Sequence, residues 1–76
     1  MNNKRRQKLS EVEALLSRAY SITDSVLDEE QDALDNMPEN LESSSKYEKI
    51  EEAVSNLESA LEKIEDAQSC INDASA

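Results

Sequence analysis

The chain has 76 residues, enough for one domain (1–76), and its 18 acidic and 8 basic side chains give a net charge of −10. It contains no Gly, no His, no Trp and no Phe, with one Pro and one Cys. That composition argues against tight-turned sheets and removes P-loops, dinucleotide fingerprints, EF-hand loops, zinc and haem sites and Ser-His-Asp triads.

In chain order, the first feature is a basic arm. Lys4, Arg5, Arg6 and Lys8 make the first ten residues +4, leaving 18 acids against 4 bases, or −14, for the rest. The first helix is expected over about 4–36, with two starts open. One lies near Asn3. The other is Ser10, because Ser10-Glu11-Val12-Glu13 fits a capping box, in which the serine oxygen takes a free backbone N–H and the glutamate reaches back. Apolar residues then fall at positions 9, 12, 15, 16, 19, 22, 26, 27, 33, 34 and 37, steps of three and four that no strand produces. Leu15 with Leu16, and Val26 with Leu27, broaden the stripe, which suits a helix facing more than one partner. Glu29 and Glu30 interrupt it where another apolar residue is due.

The turn is expected over 37–44. The ring of Pro38 disfavours helical geometry at Met37, and proline is common just past a helix end. Leu41 is expected to fold back over the open end of the core, Ser43, Ser44 and Ser45 offer capping hydroxyls, and Ser45-Lys46-Tyr47-Glu48 fits a second capping box. From Tyr47 to Ala74 the chain reads as four heptads, YEKIEEA, VSNLESA, LEKIEDA and QSCINDA. They place Tyr47, Val54, Leu61 and Gln68 at position a, Ile50, Leu57, Ile64 and Ile71 at d, and Ala53, Ala60, Ala67 and Ala74 at g. Such a helix, expected over about 45–74, is built to meet another helix.

Two long helices joined by so short a link lie antiparallel. The expected fold is all-α: an antiparallel helical hairpin, associating as a coiled-coil-like bundle. Counting outward from the turn brings Ala74 level with about the sixth residue, so the basic arm is expected near Asp66, Asp73 and the C-terminal carboxylate. A chain this small rarely offsets its ordering entropy without a disulfide, a metal or self-association, and Cys70 is its one cysteine. A homo-oligomer, dimer or tetramer, is therefore expected. Its candidate face is Leu9, Val12, Leu16, Ala19 and Val26 on the first helix with Tyr47, Ile50, Val54, Leu57, Leu61, Ile64 and Ile71 on the second.

No catalytic, cofactor or metal site is expected. Asp28, Glu29 and Glu30 are contiguous on a helix and point in different directions, a poor cation cage. A two-helix rod offers no pocket for paired carboxylates to work in, so the chain reads as a non-enzyme. Cys70 sits at position c without basic neighbours to activate its thiol. Gln68, polar at an a position, is a candidate for fixing register, and fraying near the C-terminus explains it as easily. Between Asp24 and Glu42 there are eight acids and no base. Asp24, Asp28, Asp32, Asp35, Glu39 and Glu42 form a candidate acidic binding surface that repels nucleic acid and attracts basic proteins. No apolar run is long enough for a signal peptide or a membrane span, so the cytoplasm is the expected compartment, with no membrane partner.

The residues Leu27 to Ala67, and above all Glu29-Glu30-Gln31 with Asp35-Asn36-Met37-Pro38-Glu39-Asn40-Leu41, resemble a group of small acidic helical-hairpin proteins encoded by phages, prophages and plasmids of Gram-positive bacteria. The resemblance covers about half the chain and implies no activity, cofactor or catalytic residue. It implies a setting, in which small acidic proteins act by binding a host protein. Two functions follow as expectations: a self-associating interaction module, or an acidic mimic of nucleic acid that inhibits a host nuclease or defence complex of the anti-phage or CRISPR type.

Overall fold

The first helix starts at the earlier of its two candidate caps. In the computed structural model, which describes residues 1–41 and 44–76, α1 runs Asn3–Asp35, 33 residues. Asn2 is extended (φ −80°, ψ 165°), and its Oδ1 accepts from the Arg5 backbone N–H at 2.9 Å. One of the free donors of the first turn is thereby satisfied. Ser10 lies exposed within the helix, so its capping-box pattern is not used.

At the far end, Asn36 donates its N–H to the Asp32 carbonyl at 3.0 Å and Met37 donates to Leu34 at 3.2 Å, closing the last turn. Pro38 has no N–H to continue the ladder. A single 3-10 turn, Glu39–Leu41, follows, held by Leu41 N–H to the Pro38 carbonyl at 2.9 Å. Helix α2 runs Ser45–Ser75, 31 residues, and its cap is Ser44, one position ahead of the expected box. Ser44 Oγ accepts from the Tyr47 N–H at 3.2 Å and donates to the Leu41 carbonyl at 2.6 Å. With the cap at Ser44, Ser45 is already in the first turn and Glu48 is one residue too far along to close the box. Ser43, another of the expected capping hydroxyls, lies outside the described residues.

The helices pack side by side as an antiparallel hairpin, a rod with principal extents of 59 × 15 × 13 Å. Three hydrogen bonds cross between them: Arg6 Nε to the Ser75 carbonyl at 3.1 Å, Gln68 Nε2 to Ser17 Oγ at 3.4 Å, and Tyr20 O–H to Glu65 Oε1 at 3.0 Å. Positions rise along α1 as they fall along α2, and the end of α2 comes level with the start of α1 as the count from the turn anticipates. The Arg6 guanidinium meets a backbone carbonyl and Asn3 Oδ1 (3.3 Å), not the side chains of Asp66 or Asp73. That carbonyl belongs to the negative pole of the α2 dipole, a favourable place for a cation.

Among the described residues the buried ones are Val54 and Leu61, 7% and 8% exposed, at successive a positions. Tyr47, Ile50, Leu57, Ile64, Gln68 and Ile71 are half-buried along the same seam, and Ala53, Ala60 and Ala67 beside it; Ala74 is exposed. From α1, Leu9, Leu16, Leu27 and Leu34 are half-buried. Leu41 does not cover the open end of the core: it stays 40% exposed, whereas Met37 is half-buried. Met37 continues the column Leu9, Leu16, Thr23, Glu30 at seven-residue steps, so it reaches the seam without any fold-back of the chain.

Candidate interaction surface

Helix α1 has two long faces with different contents. The half-buried one combines the column Arg6, Glu13, Tyr20, Leu27, Leu34 with Leu9, Leu16, Thr23, Glu30 and Met37. Four of these ten side chains, Arg6, Glu13, Thr23 and Glu30, are polar or charged, apart from Tyr20. The outer face follows Arg5, Lys8, Val12, Leu15, Ala19, Ile22, Val26, Glu29 and Ala33, alternating steps of three and four. Leu15 is 66% exposed, Ile22 54% and Val26 40%. Three large aliphatic side chains on one helix face thus stand in water, in seam spacing.

Of the residues expected on the association face, Val54 and Leu61 are buried, and Tyr47, Ile50, Leu57, Ile64, Ile71, Leu9, Val12, Leu16 and Ala19 are half-buried; Val26 is exposed. The two most exposed members of the outer apolar stripe, Leu15 and Ile22, were not among them. Their signal is the seven-residue column Lys8, Leu15, Ile22, Glu29, which the neighbouring Leu16 and Leu27 obscure.

The acidic candidates Asp24, Asp28, Asp32, Asp35 and Glu39 are all exposed, on the turn-proximal part of α1 and the 3-10 turn; Glu42 lies outside the described residues. Asp24, Asp28 and Asp35, at steps of four and seven, share a face turned away from the outer apolar stripe. Gln31 Nε2 donates to Asp35 Oδ1 at 3.1 Å. The charges of α1 run against its own dipole, with no acid in the first turn and no base in the last. An isolated helix charged this way loses stability at both ends.

A shallow polar groove lies where the helices meet, lined by Ser17, Tyr20, Ser21, Glu65 and Gln68. The Tyr20 hydroxyl donates to Glu65, and this hydrogen bond, then the carboxylate's charge, raise the phenol's pKa above its ordinary value; slight desolvation and Asp24 act in the same direction. Gln68, the polar a-position residue, finds its partner in Ser17 across the seam. Cys70 is a free, exposed thiol. Among the described residues no group of three or more His, Cys, Asp or Glu side chains is placed to hold a metal ion, and no helix is long and apolar enough to cross a membrane. Comparison of the chain with protein-family profiles, curated proteins and solved structures gave no match.

Proposed function

We propose that this protein is a non-catalytic, acidic interaction module that works by self-association, acting in the cytoplasm without touching membrane or nucleic acid directly. The observation that supports this most is the exposed stripe Leu15, Ile22 and Val26 beside a core of two buried residues. Apolar area left in water on a hairpin with so little interior is area available to another protein surface. The setting proposed with it is the one the turn sequence implies, a phage, prophage or plasmid of a Gram-positive bacterium.

The test is the solution mass across a dilution series under reducing conditions, with helicity followed in parallel. A dimer or tetramer that dissociates on dilution is expected. A mass of 8.5 kDa at every concentration contradicts self-association.

A second reading, mimicry of nucleic acid toward a basic host nuclease or defence complex, is favoured by the exposure of Asp24, Asp28 and Asp35 on one face. Nucleases retained on the immobilised protein at low salt are then released by duplex DNA, and retention is lost in the triple variant Asp24→Lys, Asp28→Lys, Asp35→Lys. Retention that survives the triple variant removes this reading.

A further inference from the structure

We infer that the outer face of α1 packs on the same face of a second copy of this chain, antiparallel, about a two-fold axis near Ala19. The inference rests on the self-association reading and fixes its geometry. Along the exposed column Lys8, Leu15, Ile22, Glu29, the apolar pair is central, a base stands at one end and an acid at the other. Setting Leu15 against Ile22 of the second copy brings Lys8 across from Glu29, and the two-fold repeats the pairing. A parallel pair would set Lys8 against Lys8 and Glu29 against Glu29, an arrangement that like charges disfavour.

The dipole argument points the same way. Arg6 is already directed at the C-terminal carbonyls of α2, whereas Arg5 and Lys8 are exposed at the N-terminus of α1 and Glu29 and Asp32 are exposed toward its C-terminus. An antiparallel copy of α1 presents the opposite pole and the opposite charge to each end. Because both copies use one patch, the contact closes as a dimer and does not propagate into a filament.

Area supports the occupant. The hairpin exposes 5717 Å², whereas a compact monomer of its 8.5 kDa exposes about 4,700 Å². The excess is comparable to the ~800 Å² that each partner contributes to an interface of standard size. A second copy along the α1 face turns a thin rod into a four-helix bundle of ordinary surface for its mass.

The experiment uses the full chain with Cys70→Ser, so that introduced thiols are the only ones. Light scattering is expected to give about twice the chain mass. The double variant Leu15→Glu, Ile22→Glu is expected to keep its helicity and raise the dissociation constant by about tenfold or more, as for anchors at the centre of an interface. Chains carrying Lys8→Cys and chains carrying Glu29→Cys, mixed, are expected to cross-link to each other through a short bismaleimide. Neither should cross-link to itself, because like positions stand roughly 30 Å apart at about 1.5 Å rise per residue. A wild-type monomer at every concentration overturns both this geometry and the self-association reading. A dimer undiminished by Leu15→Glu, Ile22→Glu overturns the α1 face and leaves self-association standing. Lys8→Cys chains that cross-link among themselves overturn the antiparallel arrangement alone.

Discussion

The two helices are nearly equal in length, 33 and 31 residues, yet they spend their apolar residues differently. Helix α2 concentrates them on one seam and supplies both buried side chains, Val54 and Leu61; α1 has none buried. Its leucines, isoleucine and valines are divided between a seam shared with polar Glu13, Thr23 and Glu30 and an outer stripe in water. The apolar residues of α2 are thus gathered into the hairpin seam, whereas α1 leaves a second apolar stripe outside it.

Placing the same charge on each helix is expected to separate their roles most widely. Leu61→Asp puts a carboxylate into the buried seam and is expected to cost about 3 kcal/mol or more, enough to abolish helix pairing, as seen by circular dichroism and urea unfolding. Leu15→Asp, on the outer face, is expected to change the stability of the monomeric hairpin by no more than about 0.5 kcal/mol. Equal losses in the two variants would show that the outer stripe is part of the hairpin's own core.

The caps give a smaller contrast. Ser44→Ala removes the acceptor for the Tyr47 N–H and is expected to lower stability by about 1 kcal/mol. Ser10→Ala, at a capping-box position inside α1, is expected to be neutral within about 0.5 kcal/mol in the same urea titration. A cost at Ser10 equal to that at Ser44 would mean that α1 frays back to its second start.

The smallest expected effect lies where the helices touch through polar groups. In a Tyr47→Phe background, Tyr20 is expected to ionise above the ordinary tyrosine range, and Glu65→Gln should bring the midpoint down, followed by tyrosinate absorbance. The sign follows from which form is held: the neutral phenol donates to Glu65. Its contribution is therefore full below the unfolded value of about 10 and is lost as pH rises through the raised folded value. An unchanged midpoint in Glu65→Gln would mean that the hydrogen bond is not maintained in solution.

The hairpin, its turn at Pro38 and the antiparallel sense were legible because four heptads in α2 and a single proline leave little else to build. The remainder turned on shifts of one residue. Leu15 and Leu16 are both apolar, and one step along a helix is a rotation of about 100°, so periodicity alone did not decide which faces α2. The neighbouring serines 44 and 45 both offer a hydroxyl, and only the reach of Ser44 to Tyr47 N–H separates them. Met37 displaced Leu41 at the end of the core because it lies in register with Leu9 and Leu16, which a reading of Pro38 as a stop conceals. The acidic surface was visible as composition, but its division into faces required the helix to be placed.

The bond from Arg6 to the Ser75 carbonyl brings the start of α1 and the end of α2 into one neighbourhood. The hydrogen bonds between the helices, at Arg6, Ser17 and Tyr20, lie in the half of the rod away from the Pro38 turn. A circular permutant, with Ala76 joined to Met1 by a short flexible linker and the chain opened beside Pro38, should therefore fold to the same pair of helices, since closing a short loop costs little more at one pole than at the other. The order of the helices along the chain is then a matter of connectivity, and the fold belongs to the faces that meet.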